Sequence, residues 1–261
     1  MRTTAIFSYK GGTGKTTTAI NLAAELAAKG KRVIVIDADG QRNTSDFFEA
    51  DKDGVATLYG LLTGTGGSLD SPMSYVEPTG RTGLMVVASS ENLATVELDK
   101  SLDGSAGIRL TAIRDFCEAI AEDDEADFVL IDCPPSFAPQ TVAALIAADD
   151  VIVPVTPDNW AVSGLRDVTV SLNGARRSNH RLRIAGVLLT RMNASATARD
   201  TEKALRESGV PVFETVIHAS NYAPRSSFER KTLRECAHWT GIEQDYRELA
   251  NEYMEGGAGN G

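Results

Sequence analysis

Thr3-Thr4-Ala5-Ile6-Phe7-Ser8-Tyr9-Lys10-Gly11-Gly12-Thr13-Gly14-Lys15-Thr16-Thr17-Thr18, continued by Ala19, Leu22, Ala23 and Leu26 at helical spacing, is the stretch from which the fold is read. An apolar β-branched run, a glycine-rich loop and a helix pattern follow one another. Glycines let the backbone curl until successive N–H groups and the helix N-terminus face inward, a geometry that receives phosphate oxygens. In such a loop Lys15 supplies a point charge at the β- and γ-phosphates, and Thr16 offers a hydroxyl to Mg²⁺. Lys10, Gly11, Gly12, Thr13, Gly14, Lys15, Thr16 and Thr17 are therefore the candidate nucleotide contacts. The pattern G-x-x-x-x-G-K-[ST] is not met, because Tyr9 stands five positions before Gly14 and a lysine, Lys10, follows it.

Downstream, short apolar runs keep alternating with helical patterns. Strands are expected at 3–8, 32–36, 84–88, 127–131, 150–155, 183–190 and 212–216, and helices at 15–29, 107–121, 139–147, 159–176 and 196–208, with two more closing the chain. This is the βαβ rhythm of a mostly parallel sheet flanked by helices on both faces, with five to seven strands. Residues 63–83, rich in Gly, Ser and Pro, read as a surface excursion, and the acidic run 122–127 as a solvated turn. A single domain over 1–255 with a disordered Gly-rich tail at 256–261 is expected.

The composition is that of an ordinary soluble chain: 261 residues, 42% hydrophobic and 24% charged. Apolar runs such as Val33–Ile36 are four residues long, against the roughly 20 needed to span a bilayer. The N-terminus lacks the apolar core of a secretory signal, so a cytoplasmic protein is expected. Cys117, Cys133 and Cys236 form no CxxC pair and read as reduced, mostly buried thiols rather than as disulfide, zinc or cluster ligands. The net charge of −10 is unevenly spread, with 12 basic and 24 acidic residues over 1–163, 13 and 6 over 164–234, and 1 and 6 over 235–261. An acidic chain can still present a basic face, because phosphate contacts respond to charge within about 10 Å.

Two further segments carry carboxylates at strand ends, the sheet edge where ligands bind in α/β folds. Asp37-Ala38-Asp39-Gly40-Gln41-Arg42-Asn43 follows an apolar strand, and Phe128-Val129-Leu130-Ile131 runs into Asp132-Cys133-Pro134-Pro135-Ser136. Asp132 suits Mg²⁺ held through water. Asp37 is open to a second reading, a strand-end residue capping backbone N–H groups. With KGGxGKTT at the end of the first strand, the three motifs stand at 10–17, 37–43 and 128–136, and the chain resembles the ParA/MinD group of P-loop NTPases with a deviant Walker A motif.

The resemblance covers most of residues 1–193 and implies a short-form ParA-type partition ATPase, using ATP and Mg²⁺. It implies that Asp39 positions or activates the attacking water, that Thr16, Asp39 and Asp132 serve the metal, and that Lys10, Lys15 and Asp39 are the catalytic set. Gly40 stands where the family usually has proline. Lys10 is implied to reach across an ATP-dependent homodimer to the other subunit's phosphates, and Asn193, at a strand end, to contact adenine. Asp158 is read either as a contact to the partner subunit or as an ordinary helix-start acid. Val216-Ile217-His218-Ala219-Ser220-Asn221-Tyr222-Ala223-Pro224 is similar to the family's later loop through Ala-Pro, but lacks Ile-Pro-Arg.

A basic stretch, Arg176, Arg177, Arg181, Arg183, Arg199, Lys203, Arg206, Arg225, Arg230, Lys231 and Arg234, fits a phosphate footprint on double-stranded DNA, without aromatic interleaving. Arg176, Arg177, Arg181, Arg183, Arg225, Arg230 and Lys231 are the leading candidates for sequence-independent contacts. The implied cycle is an ATP dimer coating DNA, nucleoid-associated in the cytoplasm, and released when a ParB-like partner stimulates hydrolysis. The acidic end, residues 243–255, disfavours an anionic membrane as partner. Two alternatives stay open: a positioner of protein cargo on a non-DNA scaffold, and a small-molecule ATP-dependent ligase or metallocluster carrier of the same fold.

Overall fold

The structure is a computed structural model that describes residues 1–50, 56–94, 108–158 and 161–256. Its strands are β1 (Arg2–Ile6), β2 (Val33–Asp37), β3 (Glu77–Arg81), β4 (Leu84–Val87), β5 (Phe128–Asp132), β6 (Asp150–Val155) and β7 (Arg183–Leu189). They form one sheet in the order β3-β4-β2-β5-β1-β6-β7, parallel throughout except for the β3–β4 pair. The helices are α1 (Lys15–Ala28), α2 (Asn43–Phe48), α3 (Leu58–Thr63), α4 (Ala112–Glu122), α5 (Pro139–Ala147), α6 (Ala161–Ala175), α7 (Ala196–Arg206), α8 (Tyr222–Glu229), α9 (Leu233–Cys236) and α10 (Gly241–Met254).

Alternation along the strands divides the core between the two faces. Ala5, Ile34 and Ile36 pack with Leu61, Phe116, Leu145, Leu165 and Leu172 on one side. Ile6, Val33 and Val35 pack with Leu22, Leu26, Phe47, Tyr246 and Tyr253 on the other. Each such buried side chain contributes about 1.5–3 kcal/mol of transfer free energy, which is why β2 and β6, buried along their whole length, read as unbroken apolar runs. α10 locks onto the start of β1: Tyr253 Oη bonds Thr4 Oγ1 at 2.6 Å and the Arg2 guanidinium lies 4.0 Å above the Tyr253 ring. Asp150, fully buried, holds Arg2 at 2.6 Å and accepts from Thr4 Oγ1 at 2.5 Å.

Two local expectations are corrected. Residues 77–81 form an antiparallel edge strand rather than part of a surface excursion, anchored by buried Tyr75 and Glu77. Residues 212–216 make no strand; a bridge from Val212 to Val187 and bonds from Phe213 N to Val187 O and from Ile217 N to Leu189 O lay the segment irregularly along the outer edge of β7. Pro211, which has no N–H to donate, precedes it. The acidic turn is solvated over residues 122–124, as expected, and it also clamps Arg32: Asp124 and Asp127 both grip the guanidinium at 2.9 Å and Asp127 accepts Arg32 N at 2.8 Å. Among the described residues no helix is long and apolar enough to cross a membrane. Residues 257–261 of the expected tail lie outside the described residues.

Candidate functional site

The sheet order puts β1 at a switch point, with β5 and β2 to one side and β6 and β7 to the other. The loop after β1 therefore opens over the crevice at the strand ends. Gly12 and Gly14 have φ of 74° and 87°, left-handed values that cost an L side chain roughly 1–2 kcal/mol. Thr13 fastens the loop to the fold: its Oγ1 bonds Ser8 Oγ at 2.8 Å and its carbonyl accepts Thr190 Oγ1 at 2.8 Å. Lys15, at the first turn of α1, is buried and donates to the Lys10 carbonyl at 3.1 Å. Burial pushes its ammonium below the usual lysine range, opposed first by Asp132 and also by Asp39.

Asp37 and Asp132 end neighbouring strands in register, which sets two carboxyls side by side beneath Lys15. Asp37 is occupied: Ser45 donates both N–H and hydroxyl to its Oδ2 at 2.7 Å, and Asp39 N bonds Oδ1 at 3.1 Å. It fixes the loop from β2 into α2, the capping role. Burial and the neighbouring Asp132 push its carboxyl up. Asp132 is pushed up by burial as well, against the pull of the Thr16 and Thr44 hydroxyls. Thr44 donates to Asp132 Oδ2 at 2.8 Å, whereas the buried Oδ1 has no hydrogen-bond partner among the described residues. An orphaned carboxylate oxygen beside a threonine hydroxyl fits Mg²⁺, which takes one or two carboxylates and completes its shell with water and phosphate oxygens. Asp39 sits above, accepting Gln41 N at 2.9 Å through Oδ1.

A cavity of about 790 Å³ runs from these groups across the sheet edge. Gly11, Gly12, Gly14, Lys15, Thr16, Thr17 and Asp39 line one part; Thr190, Arg191, residues 217–221, Ala223 and Pro224 line the other, with Ile242 and Tyr246 of α10. His218 belongs to this far wall: Asp245 accepts its backbone N–H at 2.8 Å and its Nδ1 lies 3.1 Å from both Asp245 oxygens. Of the expected contacts, three stand apart. Thr13 turns its hydroxyl inward to Ser8 and is not on this wall. Asn193 is not on the wall, and its Oδ1 accepts Ser195 N at 2.9 Å. Lys10 is not on it either; its side chain turns to a separate, smaller cleft and pairs with Asp158. Thr190 and Arg191 belong to the strand end from which Asn193 was expected to reach the base, whereas Tyr246 and Asp245 were missed by sequence reasoning. The Ala-Pro pair at 223–224 marked the rest of that wall.

Comparison with known proteins agrees with this geometry. Residues 1–184 match the AAA_31 model, an AAA domain. The chromosome partitioning protein ParA of Caulobacter vibrioides is 41% identical over 192 residues, 73% of this chain and 69% of the relative. The chromosome-partitioning ATPase Soj of Thermus thermophilus is 38% identical over 97% of this chain and 96% of its own. The chain belongs to the ParA family of partition ATPases. Its fold is also that of cobyrinic acid a,c-diamide synthase from Mycobacterium smegmatis, a structure with bound ADP and magnesium, with a TM-score of 0.77, 25% identity and coverage of 98% and 94%.

One departure from the ParA pattern acquires a physical reason. Gly40 replaces the usual proline where a Cβ would meet the Ala94 backbone nitrogen at 3.2 Å, so the loop is confined by its neighbour instead of by a ring. Asp39 O, which accepts Ser89 Oγ at 2.8 Å and Arg42 N at 2.9 Å, ties it down further. The basic stretch, by contrast, is not one patch. Arg176, Arg177, Arg181 and Arg183 gather where β7 begins, whereas Arg225, Arg230 and Lys231 sit on and after α8, beside the cavity at the other end of the strands. A seven-residue strand separates the two groups by about 20 Å. Arg176 is bound to Leu182 O and Asn173, Arg183 faces Asp150, and Arg225 and Arg230 pair with Glu229 and Glu49. Arg177 and Arg181 are exposed.

Proposed function

We propose that this ParA-family protein is an ATP-hydrolysing partition switch: an ATP-bound homodimer that binds double-stranded DNA without sequence preference and leaves it when a ParB-like partner stimulates hydrolysis. The observation that carries this reading is the division of labour between two lysines of one loop. Lys15 lines the cavity, whereas Lys10 is half exposed, points away from it and is held by Asp158 at the rim. A cation so placed is poorly set to serve its own chain's phosphates and well set to serve those of a facing copy.

In this reading the loop N–H groups and Lys15 hold the phosphates, with Thr16, Asp39 and Asp132 on the metal side. Mg²⁺ would neutralise charge developing on the phosphate oxygens. Asp39, fixed through the Gln41 N–H and by its own carbonyl contacts, orients the attacking water; phosphoryl transfer needs placement more than covalent help. In the dimer, Lys10 exchanges Asp158 for a partner's phosphates, and loss of the γ-phosphate removes that charge complement. ATP thereby times association.

Lys10→Ala should retain ATP binding by the monomer and lose ATP-dependent dimers in light scattering; unchanged dimerisation would refute the trans role. DNA binding is tested on an unrelated duplex with ATP, ADP and no nucleotide, titrated over salt. Engagement of about six phosphates gives a log–log slope near −5 with ATP alone. The Arg177→Glu/Arg181→Glu pair should weaken it and leave basal hydrolysis intact. No binding in any state while ATP dimers are present would discard DNA as the scaffold.

A further inference from the structure

We propose that His218 reads position 6 of the purine base, accepting a hydrogen bond from the adenine amino group and disfavouring bases that carry a carbonyl there; the inference rests on the nucleotide reading of the cavity. The topology decides which wall meets the base. Phosphates are held at the loop after β1, and the carboxylates of β2 and β5 occupy one side of it. The rest of a nucleotide must extend toward β6 and β7, where the 217–224 segment forms the wall. That segment is fixed to the sheet edge, because Met192 N bonds Ile217 O at 3.0 Å and Ala219 N bonds Met192 O at 2.8 Å.

Asp245 determines what the ring can offer. Its carboxylate, 12% exposed, accepts from the His218 backbone and faces Nδ1 with both oxygens. A carboxylate only accepts, so the proton of the neutral ring resides on Nδ1, and Nε2 keeps a lone pair. Nε2 has no partner among the described residues, and the side chain is 60% exposed on the cavity wall. An acceptor there matches the N6 amino group of adenine and opposes the O6 acceptor of guanine or hypoxanthine. Base discrimination of this kind arises because the mismatched acceptor pair leaves both lone pairs unsatisfied. His218 is thus a specificity residue and Asp245 the positioning residue that fixes its tautomer.

The test is calorimetric binding of ATP, inosine triphosphate and GTP, each with Mg²⁺, to the intact protein and to His218→Ala, His218→Phe and Asp245→Asn. Inosine triphosphate differs from ATP in carrying O6 and a protonated N1. Wild type should favour ATP over it by about tenfold, the equivalent of one hydrogen bond. His218→Phe, which keeps a ring on the wall, and His218→Ala should both bring the ratio near one while ATP still binds, and Asp245→Asn should lower it by freeing the tautomer. An ATP preference that survives both His218 variants, or is absent in wild type, overturns this inference and leaves the nucleotide reading standing. Failure of wild type to bind any of the three overturns both.

Discussion

Lys10 and Lys15 stand five positions apart and carry the same formal charge in different electrical surroundings. Lys15 lies under protein with Asp132 and Asp39 near it; Lys10 faces solvent and one carboxylate. Burial also governs the thiol next to Asp132: Cys133 is fully buried and pushed well above the usual thiol range by desolvation, which makes it inert packing rather than a nucleophile. At Gly40 the constraint is contact with a neighbour. Gly40→Ala introduces a Cβ 3.2 Å from a backbone nitrogen, and overpacking of this kind costs about 1 kcal/mol. Calorimetry should register a fall in Tm of about 3 °C; an unchanged Tm would show that the 93–94 backbone yields freely. Glycines, lysines and strand-end carboxylates of the first 132 residues were legible because each motif is contiguous and its chemistry is fixed by spacing. Asp245 was not, because it acts on a residue 27 positions away, and nothing local announces that.

At the scale of elements, the largest surprise is the work done by connections. The solvated turn before β5 also does structural work, because Asp127 closes a fork with Arg32 at the entrance to β2. Its hydrogen bonds to Arg32 hold the Asp127 carboxyl below the usual range. A depressed carboxyl contributes stability above its ordinary value and loses it as pH falls through the folded value. Asp127→Asn should therefore melt slightly below wild type at pH 7, and the gap should narrow as the pH falls through and below the ordinary carboxylate range; a gap that persists in strong acid would assign the effect to packing. The pair is still more than a third exposed, so the difference is small. Elements buried on both faces, such as β2 and β6, were readable from continuous apolar runs. The 212–216 segment carries the same residue types but covers an edge, and periodicity does not distinguish an edge covering from a strand. The antiparallel β3 was hidden by Pro78 and Gly80, residues tolerated only at a sheet margin.

The whole molecule is held together across its full length. Asp150 has no exposure and binds both Arg2 and Thr4. Removing one partner of a buried pair leaves an uncompensated charge, at about 3 kcal/mol or more. Asp150→Ala should accordingly lower Tm by about 10 °C, with Asp150→Asn intermediate because it can still accept from Thr4; equal stability of the three proteins would mean that Arg2 finds water instead. The charge distribution along the chain indicated a basic region but not its shape, since residues adjacent in a list of arginines fall at opposite ends of β7.

The Thr4–Tyr253 contact joins residues 249 positions apart, and it has a temporal meaning. As the chain is synthesised, β1 and the glycine loop emerge well before the helix that seals one face of the sheet and supplies Ile242, Asp245 and Tyr246. The nascent protein must keep a strip of apolar sheet waiting, the kind of long-range closure that slows folding and exposes intermediates to aggregation. The cavity over the glycine loop is completed only once α10 has docked, so a site whose loop is made early takes its final shape late.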